Sequence, residues 1–105
     1  MALGMLEVYG FTTSIVVADR MAKTADVEIV AIDKNKPANA ESVEVPLVMV
    51  VKCEGDVAAV NSAVEAGIAE AKARNMYITS KIISRQSEDV EWFAHLTATG
   101  KDKLR

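Results

Sequence analysis

The chain holds one histidine, His95, and one cysteine, Cys53. Neither has a second histidine or cysteine at ligand spacing, so a metal centre would have to be assembled from carboxylates, and no metal ligand is expected. The 15 Asp and Glu residues form no recognisable acid–base pair, and no glycine-rich loop is present to cradle a phosphate. No catalytic residue or cofactor is expected on these grounds. His95 reads as a partly exposed residue of a terminal helix, the alternative being a general base in a small ferredoxin-like enzyme. Cys53 reads as a small buried hydrophobe, because no neighbour in sequence is placed to lower its pKa. Trp92 either anchors a partner or packs on its own domain. The remaining candidate is the polar stretch from Asp33 to Glu44, DKNKPANAESVE. A hairpin connection needs only about two to five residues, so this stretch is either a tolerated surface insertion or a binding or gating loop on a rigid scaffold.

The elements that would carry these residues form a unit written twice. The first copy reads LGMLEVYG, FTTSIVVADRMAKTA, DVEIVAI, and the second VPLVMVVKC, EGDVAAVNSAVEAGIAEAKARN, YITSKIISR. Leu3 to Tyr9 reads as a strand ended by Gly10, with Thr12, Thr13 or Ser14 as the cap of the following helix. Val17, Met21 and Ala25, flanked by Ala18 and Ala22, give that helix its apolar stripe. Val27 to Ile32 returns as a strand. Pro46 to Lys52 is nearly all apolar and belongs in the sheet centre, with Pro46 at its start. Glu54-Gly55-Asp56 turns the chain, Asp56 caps the second helix, and Val57, Val60, Val64, Ile68 and Ala71 form its buried stripe. Gly67 inside that helix loses about 1 kcal/mol relative to Ala, which points to close packing against a neighbour. Tyr77 to Ser84 reads as a fourth strand. Ser87, Glu88 and Asp89 start a short last helix with Val90, Phe93 and Leu96 on its apolar face.

These elements predict an α+β, ferredoxin-like βαββαβ sandwich, with an antiparallel sheet and a short C-terminal helix. One sheet face is left for the C-terminal helix or another subunit to cover. At 105 residues the chain is expected to be one domain, 1–105, with its core over 2–90 and a helical tail over 86–105. Half of the residues are hydrophobic but only 5% aromatic, so the core is built of small pieces, and self-association would add burial to a small domain. A net charge of −3 with scattered Lys and Arg argues against nucleic acid. A lone cysteine and the absence of a basic leader or a long apolar run predict a cytoplasmic chain that neither spans a membrane nor is exported.

Five segments then resemble one family. Met5-Leu6-Glu7-Val8-Tyr9-Gly10-Phe11, Ala18-Asp19-Arg20-Met21-Ala22-Lys23, Val27-Glu28-Ile29-Val30, Gly55-Asp56-Val57-Ala58-Ala59-Val60 and Ala66-Gly67 are similar, in order, to the hexagonal shell proteins of bacterial microcompartments. The resemblance spans about residues 2 to 90. It implies a homohexamer that tiles edge to edge, alone and with other shell proteins, into facets around encapsulated enzymes, without an active site of its own. It also implies an edge role for Lys23, Asp26 and Arg85, and a central pore lined by Asn35, Lys36, Pro37, Ala38, Asn39, Ala40, Glu41 and Ser42. The family's short Lys-Ile-Gly-Ser-Gly pore segment is replaced here: Lys34 stands at the lysine, no glycine follows it, and six copies of Lys36 and Glu41 would form charged rings, a plug or a lid. Ser84-Arg85-Gln86 likewise replaces a proline-flanked arginine. The competing reading is a trimeric regulator resembling the PII signalling family, which also combines βαββαβ with a long loop after its second strand. It would bind a nucleotide or small effector, and the missing basic, glycine-rich phosphate site counts against it.

Overall fold

A computed structural model describes residues 1–35 and 47–96. Four strands, β1 (Ala2–Tyr9), β2 (Glu28–Asn35), β3 (Val48–Gly55) and β4 (Tyr77–Ile83), form one antiparallel sheet in the order β2-β3-β1-β4. Helices α1 (Phe11–Thr24) and α2 (Val57–Ala73) connect β1 to β2 and β3 to β4, and pack on one face. After β4 a single 3-10 turn, Glu88–Val90, leads into a five-residue helix, α3 (Glu91–His95), which lies on the other face. This is the predicted ferredoxin-like arrangement, with the apolar third strand at the sheet centre.

The core lies between the sheet and the first two helices. Leu6, Val8, Met49, Val51 and Cys53 point up from β1 and β3 into Val17, Met21, Val60, Ala63 and Val64. Its small pieces allow close approach. A Cβ built on Gly67 would lie 2.6 Å from Leu6 Cδ2 and 2.9 Å from Met21 Sδ. Gly67 is therefore the point at which α2 presses against both β1 and α1, as its position in a helix predicts.

Several local readings are corrected. None of Thr12, Thr13 and Ser14 caps α1. Gly10 holds the N-cap position at φ 87°, a conformation that side chains disfavour, so the helix starts at Phe11 and absorbs all three. Ser14 Oγ donates instead to Phe11 O at 2.5 Å. Asp56 does occupy the N-cap of α2, but its side chain makes no capping bond. Val57, in the first turn of α2, is 43% exposed rather than part of the buried stripe. β2 runs on through Asp33-Lys34-Asn35, because pairing with Val50, Met49 and Val48 of β3 satisfies its backbone whatever its side chains are. β3 likewise continues through Cys53-Glu54-Gly55, paired with Gly4, Leu3 and Ala2. Ala94 is the buried residue of α3, while Val90 and Phe93, predicted for its apolar face, are 43% and 37% exposed.

Candidate functional site

Strand register sorts the candidate residues to opposite ends of the sheet. Ala2 lies opposite Gly55, Glu28 opposite Glu54 and Leu3 opposite Ile83, which defines one end. Tyr9 and Asn35 both lie opposite Val48, and Val8 opposite Tyr77, which defines the other. Lys23, Asp26 and Arg85 collect at the first end. Lys23 lies exposed in the last turn of α1, with Nζ 2.8 Å from Asp19 Oδ2 one turn back. The Asp26 carbonyl lies 3.1 Å from where a Gly55 Cβ would stand. Arg85 is exposed beside Gln86, whose backbone N–H donates to Met1 O at 3.2 Å. Asn35 is the last residue of β2, at the second end. Lys36, Pro37, Ala38, Asn39, Ala40, Glu41 and Ser42 lie outside the described residues.

The face turned away from α1 and α2 carries charges that the sequence reading passed over. Along β3, Cys53 points into the core, so Lys52 and Glu54 point the other way, as period-two alternation requires. Lys52 is 1% exposed. Its ammonium donates to Phe93 O at 2.8 Å and Leu96 O at 3.0 Å, sits 3.5 Å from Asp33 Oδ2, and lies 3.9 Å over the Phe93 ring. Burial pulls its pKa below the usual lysine value, against the pull of the Asp33 charge and hydrogen bond. Glu54, 8% exposed, is gripped by His95 Nε2 at 3.2 Å and by the Gln86 side-chain amide. His95 thus faces a carboxylate across the strap, not a substrate cleft. The signal available in the sequence was the pair Lys52 and Glu54 at two-residue spacing in an otherwise apolar run, which demands polar cover on that face.

Beside α3 the same face holds a cavity of about 510 Å³, lined by Met5, Glu7, Asp33, Val50, Lys81 and Phe93 among others. Its charges are of both signs, and two of them, Lys52 and Asp33, are paired at 3.5 Å. No cluster of three or more His, Cys, Asp or Glu suited to a metal ion occurs among the described residues. No helix among them is long and apolar enough to cross a membrane. Cys53 is buried under α2, and desolvation pushes its pKa up to about 11 despite a backbone hydrogen bond from Gly4. Trp92 is 65% exposed, its indole N–H bonded to Asp89 O at 2.9 Å, which leaves the ring free of its own core. On the helical face, Glu70 joins Arg20 of α1 at 3.0 Å and Arg74 at 2.8 Å, bracing the two helices.

Comparison with known proteins gives a consistent picture. Residues 2–86 match the family described as the BMC domain. The chain is 35% identical over 89 residues to the bacterial microcompartment shell protein PduK of Citrobacter freundii, covering 85% of this chain and 52% of that one. It is 38% identical over 90 residues to the shell protein PduA of the same organism, covering 86% of this chain and 87% of PduA. Among solved structures, a microcompartment protein from Desulfitobacterium hafniense superposes with a TM-score of 0.71 at 31% identity, covering 87% of this chain and 47% of that one. The chain thus spans about half the length of PduK and most of the length of PduA.

Proposed function

The chain belongs to the BMC-domain family, and from that premise we propose that it is a structural protein of a bacterial microcompartment shell. It acts as a cyclic hexamer that tiles with itself and with other shell proteins around encapsulated enzymes, inside the cytoplasm. Lys23, Asp26 and Arg85 form the tiling edge, and the segment from Asn35 to Ser42 rims a central pore.

The observation that carries this reading is the sorting of residues along the sheet. Lys23 and Asp26, around the end of α1, and Arg85, after β4, lie toward the same end of the sheet. Asn35, the first residue of the proposed pore rim, lies at the other end. A tile needs this separation, because its periphery meets neighbours while its centre meets its symmetry mates.

Native mass and electron microscopy test it together. The chain gives a hexamer mass and extended hexagonal sheets, and Lys23→Ala or Arg85→Ala leaves the hexamer intact but abolishes the sheets. A monomer or trimer in the native mass overturns the reading. Sheets unaffected by both substitutions overturn the edge assignment.

A further inference from the structure

We propose that α3 is a strap over the open face of the sheet, fastened by the charged pair Lys52 and Glu54 of β3, and that it opens while the rest of the domain stays folded. The fastening is polar. Lys52 Nζ holds the carbonyls of Phe93 and Leu96, at 2.8 and 3.0 Å, and Glu54 holds His95 and Gln86. Apolar burial is partial: Ala94 is buried and Leu96 half-buried, but Phe93 and Val90 remain 37% and 43% exposed and Trp92 65%.

The helix has no stability of its own. Its five residues are far short of the ~12 to 15 that an isolated helix needs in water, so α3 exists only while docked. Docking carries penalties as well. It strips water from the Lys52 ammonium, and it leaves Gln86 Oε1 buried with no hydrogen-bond partner among the described residues. Opening rehydrates both groups. The hinge is the exposed bend at Ser84 and Arg85, just before the Gln86 fastening, which carries no helix or strand that must break. When open, the face presents Lys52, Glu54 and the floor of the cavity beside them. The core is not involved, because its apolar residues lie on the opposite side of the sheet.

Two adjacent residues read this motion. Lys52 faces the strap and Cys53 faces α2, so local opening uncovers the amine alone whereas global unfolding uncovers both. The full chain is treated with an acetylating reagent and, separately, with iodoacetamide. Labelling at each position is followed by peptide mass spectrometry and divided by its rate in the denatured chain. Lys52 is expected to label at least about tenfold faster than Cys53 on this scale. Phe93→Ala, which removes the ring over the ammonium, raises the Lys52 rate about tenfold more and leaves Cys53 unchanged. His95→Ala, which removes one hold on Glu54, raises it in the same sense. Lys52 and Cys53 reacting in step, in the parent and both variants, overturns the proposal, as does a Lys52 rate indifferent to Phe93→Ala. Native mass on the same samples keeps this outcome distinct from the fate of the shell reading.

Discussion

Replacement of Gly4 by alanine puts the packing of helix on sheet to a quantitative test. The new Cβ would stand 2.8 Å from Val60 Cγ1, 2.8 Å from Val64 Cγ2 and 3.0 Å from Cys53 Sγ. Carbon contacts are optimal at ~3.5 to 4.0 Å, so the overlap with both methyls approaches 1 Å. Val60 and Val64 are buried on α2, and a helical valine has essentially one χ1 rotamer, so neither methyl can swing aside. α2 must lift or β1 must bend. Overpacking of this kind costs about 1 to 3 kcal/mol, of which the gain from replacing glycine in a strand returns about 0.5 to 1. Two methyls that cannot swing aside put the penalty in the upper part of that range, about 2 to 3 kcal/mol, so the net loss is about 1 to 2.5 kcal/mol, or roughly 5 to 15 °C in melting temperature for a domain of this size. Gly67→Ala is the matched control. Its Cβ meets Leu6 Cδ2 at 2.6 Å and Met21 Sδ at 2.9 Å, a closer approach, but to the ends of flexible side chains, one of them a methionine. The gain of about 1 kcal/mol in helix propensity offsets much of that strain, leaving a net loss of about 0 to 1 kcal/mol. Thermal unfolding followed by circular dichroism, at one protein concentration because self-association adds apparent stability, gives both values. A Gly4→Ala chain melting within about 2 °C of the parent, or a Gly67→Ala chain that loses more than it, refutes the claim that the rigidity of the neighbour and not the nominal distance sets the penalty.

Gly10→Ala isolates backbone strain, since the nearest atom to its Cβ is Thr13 Oγ1 at 3.6 Å; at φ 87° it should lose about 1 to 2 kcal/mol in urea unfolding without a clash. Cys53, with its pKa pushed up to about 11, should resist iodoacetamide at pH 8 and react in step with the unfolding transition in a urea series, whereas rapid native labelling would contradict its burial under α2. Glu70 has its pKa held below the ordinary 4.5, first by the hydrogen bond from Arg74; desolvation opposes this as the next-largest effect, and the Arg74 charge and the Arg20 hydrogen bond and charge add to the lowering. A depressed carboxylate stabilises the fold above its unfolded pKa, and that contribution is lost as pH falls through the folded value. Glu70→Gln should therefore melt slightly below the parent at pH 7, and the gap should close below about pH 4.5. A gap that widens in acid would refute the bracing role of Glu70.

The strand-helix duplication, the central place of the third strand and the close packing at Gly67 were legible because each follows from local pattern: apolar period, a breaking glycine, a glycine where a helix would prefer alanine. The cap of α1 was not. Thr12, Thr13 and Ser14 offered suitable hydroxyls, but the turn was decided by Gly10, whose positive φ lets the chain enter the helix earlier than a side-chain cap would. The ends of β2 and β3 were missed for a related reason. Asp33, Lys34 and Asn35 look like a loop by composition, yet an edge strand continues for as long as its neighbour offers backbone partners, and β3 offers them to Val48. The candidate edge could be named only through the family resemblance, because the meeting of Lys23, Asp26 and Arg85 is a product of register and not of spacing. Lys52 is the most instructive miss. Scanned as a run, Pro46 to Lys52 reads as a buried strand with a charge at its end; scanned by alternation, Val50, Lys52 and Glu54 define a second face that begins apolar and ends charged. A charged pair on a central strand requires a partner across that face, and with α1 and α2 committed to the other side, the chain after β4 is what the described fold places there. The same alternation that hides Cys53 from solvent therefore calls for a polar-fastened cover over Lys52.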